Sequence, residues 1–215
     1  MCLVLEKFSF GRKAKLFNKL LKKKYTYNVL DIGCGTGKFL SNLDSSVFMK
    51  YGVEIHLEGY KQCIQKGIIA YNLPLEDIDF GTTKFDVITL FHVLEHLENP
   101  TKIFLAIHSL LVDDGVVMLT VPNNCALGAV LGRENWFHLD SPRHLFIPSA
   151  RTIEYLANKA NLRIIKKSNE FYDYPLDLFW SVKNSKFKYL IYLLYPFFKL
   201  FSNESKTFIL KKREL

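Results

Sequence analysis

An α/β fold on a mostly parallel sheet is the architecture this sequence predicts. Short apolar runs alternate with helix-like segments over most of its length, and the first run stops at once on a cluster of glycines. Turn residues such as Asp113, Asp114 and Gly115 punctuate the later elements. Alternation of this kind brings successive strands back in one direction through helical crossovers.

The first strand is "YNVLD" (27–31), followed by "IGCGTGKFL", the pattern of a buried strand meeting a glycine turn and then a helix. A second run, "VFMKYGVEI" (47–55), precedes the helical "HLEGYKQCIQKG", and a third is the short "IIAY" (68–71). The fourth, "KFDVITLF" (84–91), leads into "HVLEHL"; after Pro100, "TKIFLAIHSLL" has apolar residues at helical spacing. "VVMLTVP" is the fifth strand. Downstream, Ser149 is placed to cap "ARTIEYLANKANL", "RIIKKSNE" reads as a strand, and "KTFILKKRE" alternates as the last one.

At 215 residues one domain with an embellishment is expected. Its parts are an N-terminal helical segment (1–24), a ligand-binding core (25–170), an aromatic-rich insertion (171–204) and a last strand (205–213). Neither a secretory leader nor a myristoylation glycine is visible, so a cytoplasmic protein is expected. Cys2, Cys34, Cys63 and Cys125 are scattered without a C-x-x-C, which suggests free thiols. The net charge of +8 is dispersed in runs near the two ends, the pattern of a solvated basic face rather than a nucleic-acid groove. The most apolar stretch, "YLIYLLYPFF" (189–198), is far shorter than the ~20 residues of a spanning helix. It is expected either to cover the sheet edge or cleft, or to form a lysine-flanked patch (187–201) peripheral to the inner face of a membrane.

Glycines 33, 35 and 37 directly after a strand let the chain turn sharply and let a ligand lie against backbone amides. Glu54, 21 residues beyond Gly33 at the end of the second strand, is placed to accept both hydroxyls of a ribose. The glycine spacing is G-x-G-x-G rather than the dinucleotide G-x-G-x-x-G, and Asp31 stands two residues before the first glycine. A pyrophosphate is repelled by that aspartate, whereas a cofactor bearing an ammonium group is not. S-adenosylmethionine is therefore favoured over NAD.

"VLDIGCGTGKFL", "GVEI", "FDVITLFHVLEHLENP" and "LLVDDGVVMLTVPN", in this order and at these separations, resemble the class I S-adenosylmethionine-dependent methyltransferases. The likeness is to the type with a "vLEHl.nP" motif after the fourth strand, as in quinone-biosynthesis O-methyltransferases and many sugar or glycan methyltransferases. It implies a Rossmann-like sheet of seven strands, mostly parallel, with an antiparallel last strand. It also implies that Gly33, Cys34, Gly35 and Gly37 form the methionine loop, with Asp31 near the amino group, Glu54 on the ribose and Ile55 against the adenine. Phe91 and His92 would border the sulfonium. The family's usual acidic or polar adenine contact falls on Pro74, a departure that leaves the Leu75 amide, Glu76 and Asp77 for that role. Arg12 is a candidate partner for the cofactor carboxylate.

Methyl transfer from a sulfonium is an in-line displacement, so alignment matters most and a base is required only for a hydroxyl acceptor. "NWFHLDSPRHLF" (135–146) packs His138, Asp140, Arg143 and His144 into the loop after the fifth strand, on the ligand side of such sheets. His144 is the candidate base or substrate anchor, with Arg143 as a second anchor. The acceptor is expected to be a small molecule, a glycan precursor or a lipid- or quinone-like compound. An Asn- or Asp-Pro-Pro-aromatic tetrad is missing after the fourth strand, which disfavours amino methylation of nucleic acid. A cofactor-binding partner protein without catalysis, or an RNA methyltransferase, are the alternatives. Finally, "HVLEH" (92–96) matches a zinc-peptidase spacing. It follows a buried strand of a cofactor-binding sheet, so no metal site is predicted there.

Overall fold

The computed structural model describes residues 2–21, 26–170, 176–186, 188–195, 197, 198 and 203–214. Seven strands, β1 (Tyr27–Ile32), β2 (Phe48–Val53), β3 (Ile69–Tyr71), β4 (Phe85–Phe91), β5 (Leu111–Pro122), β6 (Leu162–Glu170) and β7 (Ser205–Lys212), form one sheet in the order β3-β2-β1-β4-β5-β7-β6. β1 to β5 pair in parallel, and β7 runs antiparallel to both β5 and β6. This is the seven-stranded, mostly parallel sheet that the resemblance implies.

Alternation along the strands explains why both faces are covered. Leu30, Ile32, Ile88, Leu90, Val117 and Leu119 enter one core, whereas Val29, Val87, Val116 and Met118 enter another. Side chains two apart share a face, so each strand feeds both layers. The first core is closed by α4 (Pro100–Leu110) and α6 (Ala150–Lys159), through Ile103, Phe104, Ile107, Ile153 and Leu156. The second is closed by α1 (Cys2–Leu20), α2 (Lys38–Ser41) and α3 (Leu57–Gln65), through Phe17, Phe39, Leu40 and Cys63. The small helices α5 (Leu127–Gly132), α7 (Asp177–Ser181) and α8 (Lys188–Leu193) build a third cluster around Leu178, Val182 and Ile191.

Local signals account for the helix starts. The Ser149 hydroxyl accepts from Thr152 N at 3.1 Å and Thr152 Oγ1 accepts from Ser149 N, a reciprocal cap on α6. "LEH" does not begin the next helix. Leu94–His96 is a single 3₁₀ turn, and α4 starts afresh where Asn99 Oδ1 accepts from Lys102 N and Pro100 occupies the first turn. Of the sequence segments singled out above, residues 1, 22–25, 171–175, 187, 196 and 199–202 lie outside the described residues.

Candidate active site

The carboxyl ends of β1, β2 and β4 converge on the glycine loop. Gly33 N and Cys34 N both donate to Val53 O, at 2.8 and 3.0 Å, so the loop is laced to the end of β2. Gly33 has φ +68°, and a Cβ there would lie 2.4 Å from Val93 Cγ2, so both conformation and packing demand glycine. Gly35 also has positive φ, +55°, yet a Cβ there would meet nothing within 4 Å. Its outer side is open. Gly37 abuts Ile68, with no room for a methyl group. Cys34 turns its thiol inward, 3.6 Å from Cys63 Sγ, and burial pushes that thiol's pKa far above its ordinary value. Only its backbone is left for a ligand.

Two carboxylates flank this loop. Glu54, buried, accepts from Gly35 N at 2.8 Å and from His56 N at 2.7 Å, which fixes its head beside the open glycine. Asn72 Nδ2 donates to the carbonyls of Glu54 and Ile55 at 2.8 and 2.9 Å and pins the end of β2. Asp31, 3 % exposed, accepts from Thr89 Oγ1 at 2.6 Å. Burial raises its pKa to about 7, against the opposing effects of the Thr89 bond and the Lys13 charge and with a further push from Glu54. Ile55 stands out from the end of β2, 63 % exposed, while Leu75 is buried in the first core within a 3₁₀ turn.

Lys13 was not legible as a site residue. It sits on α1 between Phe10 and Phe17, is buried, and holds its ammonium 4.3 Å from the centre of the Phe91 ring. Its neighbour Arg12 is exposed. Phe91 is wedged edge-on against Phe39 at 4.9 Å, so α1, α2 and the tip of β4 meet around one cation. The signal, visible afterwards, is that Lys13 lies three residues after Phe10 and four before Phe17, on the buried face.

A histidine cluster adjoins the loop on the far side of β4. His92 has φ +56°, with its N–H on Thr120 O, and its Nδ1 lies 3.4 Å from Glu95 Oε1. The His92 and His138 rings stack at 6.0 Å, and His138 Nε2 lies 3.5 Å from Asp177 Oδ2 on α7. His144 pairs Nδ1 with the His138 carbonyl at 2.6 Å and directs Nε2 to 4.0 Å from Glu95 Oε1. Glu95 is fully buried, and neither of its oxygens has a hydrogen-bond partner among the described residues. His96 Nδ1 meets Arg143 O at 2.9 Å, and Glu95 O accepts from Leu145 N at 2.8 Å, so the turn after β4 and the loop after β5 brace each other.

The structure thus gathers His92 and His144 around Glu95, while the Arg143 side chain is exposed and paired with Asp140. His92 and His96 share no helix. The donor group at metal-ligand spacing is instead Glu95, His96 and His144, whose ligand atoms lie within 4.8 Å of one another. Two imidazoles and a carboxylate suit a divalent transition metal. Asp177, from the segment before β7, is a further residue that sequence spacing did not point to.

Residues 5–167 match a family model described as a methyltransferase domain. A ubiquinone biosynthesis O-methyltransferase of Glaesserella parasuis serovar 5 (strain SH0165) is 29 % identical over 125 residues, covering 53 % of this chain and 51 % of that protein. The chain therefore spans about half the length of the curated relatives it matches. Among solved structures, a mycolic acid cyclopropane synthase complexed with SAH and CTAB superposes with a TM-score of 0.67 at 18 % identity, over 94 % of this chain and 84 % of that one. An S-adenosylmethionine-dependent methyltransferase from Clostridium acetobutylicum ATCC 824 gives 0.63 at 18 %, over 98 % and 92 %.

Proposed function

The chain belongs to the methyltransferase domain family, and on that premise we propose that it transfers a methyl group from S-adenosylmethionine to a small-molecule acceptor. The observation that carries this reading is the pairing of Glu54 with the open side of Gly35. A buried carboxylate, oriented by two backbone amides, faces a stretch of loop where nothing of the chain itself fills the space. In this reading the ribose hydroxyls donate to Glu54 and the adenine lies on Ile55. The methionine backbone runs along Gly33, Cys34 and Gly35, and its ammonium reaches the neighbourhood of Asp31. Gly37 shapes the loop from behind, and the Leu75 amide stands near the adenine edge. Phe91 and His92, at the tip of β4, border the sulfonium.

The acceptor enters from the side of the histidine cluster. His144, with Nδ1 on a carbonyl and Nε2 toward Glu95, is the candidate base for a hydroxyl, and exposed Arg143 offers an anchor at the rim. An O-directed reaction on a glycan precursor or a lipid- or quinone-like molecule is the reading that agrees with the relatives, which are named ubiquinone biosynthesis O-methyltransferases. Calorimetry with S-adenosylmethionine and S-adenosylhomocysteine tests the premise. Absence of binding at millimolar ligand would remove the enzyme reading altogether.

A further inference from the structure

The described part of the segment joining β6 to β7 carries an apolar surface that the described residues leave exposed. Helical spacing sorts its side chains into two sets. Ile191 is 2 % exposed and packs, with Tyr195 and Phe198, in the cluster around Leu178 and Val182. Tyr189, Leu190, Leu193, Leu194 and Phe197 point the other way, from 44 to 78 % exposed. A helix apolar on all sides is ordinarily enclosed by protein or lipid, because each Å² left in water costs roughly 25 cal/mol.

Charge selects the occupant. Between Asp177 and Glu204 the chain has Lys183, Lys186, Lys188 and Lys199 and no acidic residue. Lys183 and Lys186 are exposed, and Lys188 holds its ammonium 5.1 Å from the centre of the Tyr189 ring, beside the apolar face. A second copy on a two-fold axis would set these lysines against themselves with no local acid to pair them. An anionic surface would not. We propose that this face docks on an anionic lipid bilayer, its outer apolar side chains entering the headgroup layer and its lysines meeting lipid phosphates. No described helix is long and apolar enough to cross a membrane, so the contact is interfacial. α7 links the docking face to the site, because its Asp177 lies 3.5 Å from His138 in the loop behind His144. An acceptor held in a bilayer would be presented beside that loop. Docking itself stands apart from the methyl-transfer reading, since a vesicle requires no cofactor.

The test is sedimentation of the full chain with vesicles of phosphatidylcholine, alone or with about a third phosphatidylglycerol. The chain is expected to pellet with the anionic vesicles and to be released as salt shortens the Debye length from about 10 Å to about 3 Å. Leu193→Glu with Phe197→Glu should weaken partitioning at least about tenfold. Lys183→Glu, Lys186→Glu and Lys188→Glu should each weaken it roughly fivefold. Far-ultraviolet circular dichroism and affinity for S-adenosylhomocysteine, both unchanged in the variants, would show that the fold is intact. Failure to pellet at low salt, or partitioning indifferent to Leu193→Glu/Phe197→Glu, overturns the proposal. Self-association at micromolar concentration that the same double variant abolishes would also overturn it, in favour of a second copy.

Discussion

Replacing Asp31 with asparagine should stabilise the protein and cripple it. The carboxyl is buried and its pKa stands at about 7 against an ordinary 3.8, an interval worth ~4 kcal/mol. A folded-state pKa raised in this way contributes stability that is complete below about pH 4 and is lost as pH rises through about 7. Asparagine stays neutral and keeps an acceptor for Thr89 Oγ1, which now bonds Asp31 at 2.6 Å. Asp31→Asn should therefore match the parent near pH 4 and exceed it above pH 7, by up to ~4 kcal/mol. The Lys13 attraction that the variant loses is already contained in that net interval. Denaturant melts at pH 4, 6 and 8 read the difference, and each kcal/mol moves the midpoint of a thermal melt by about 2–4 °C at this chain length. Calorimetry at pH 8 should show affinity for S-adenosylmethionine falling at least tenfold, because a charged hydrogen bond is worth about 1.5–3 kcal/mol. A variant less stable than the parent at pH 8, or a gap that does not open with pH, would refute the electrostatic argument. Undiminished affinity would refute the assignment of Asp31 to the site.

Two glycines of one loop should behave differently. Gly33→Ala meets Val93 Cγ2 and should cost about 2–4 kcal/mol in a denaturant titration, whereas Gly35→Ala bears only left-handed strain of about 1 kcal/mol and should instead weaken cofactor binding; the reverse ranking would contradict the loop's assignment. His144→Ala should lower turnover on hydroxyl acceptors while leaving S-adenosylhomocysteine affinity intact, and full turnover with unchanged acceptor affinity would end its role as base or anchor. Phe104→Ala, in the core under α4, should cost about 3–5 kcal/mol without altering ligand affinity per folded molecule. Exhaustive chelation with EDTA should leave cofactor affinity unchanged, because Asp31, Gly35 and Glu54 are not members of the Glu95, His96 and His144 donor group; a loss restored by zinc would place an ion in the site.

What the residues disclose in advance is what local physics governs. The strand at 27–32, the glycine turn and Glu54 are set by hydrophobic run length and backbone conformation, and each is where its spacing places it. Contacts between distant parts of the chain carry no comparable mark. Lys13 reaches Phe91 across most of a hundred residues, and Asp177 reaches His138 from a helix on another layer. Glu204, just before β7, accepts from Gly128 N and Trp136 Nε1 at 2.7 and 2.9 Å and so shapes the loop that carries His138. Periodicity names none of these, because a buried charge in the sequence looks like any other charge until its partner is known. The turn at "LEH" is set in a similar way: its residues can form a helix, but Asn99 and Pro100 supply a better start five residues later.

The strand β7, made after β6, lies inside the sheet. Among the described residues β6 pairs only with β7, and β7 alone bridges β6 to β5. Until residues 205–212 are made, the edge of β5 from Val117 to Pro122 is bare and β6 lacks its pairing strand. Chain growth and sheet growth are thus out of step, and the final insertion closes both cores in a single event, joining Phe208 and Leu210 to one and Ile209 to the other. A nascent chain halted short of Ser205 would lack two strands rather than one, and would expose the kind of edge on which chaperones and aggregation compete.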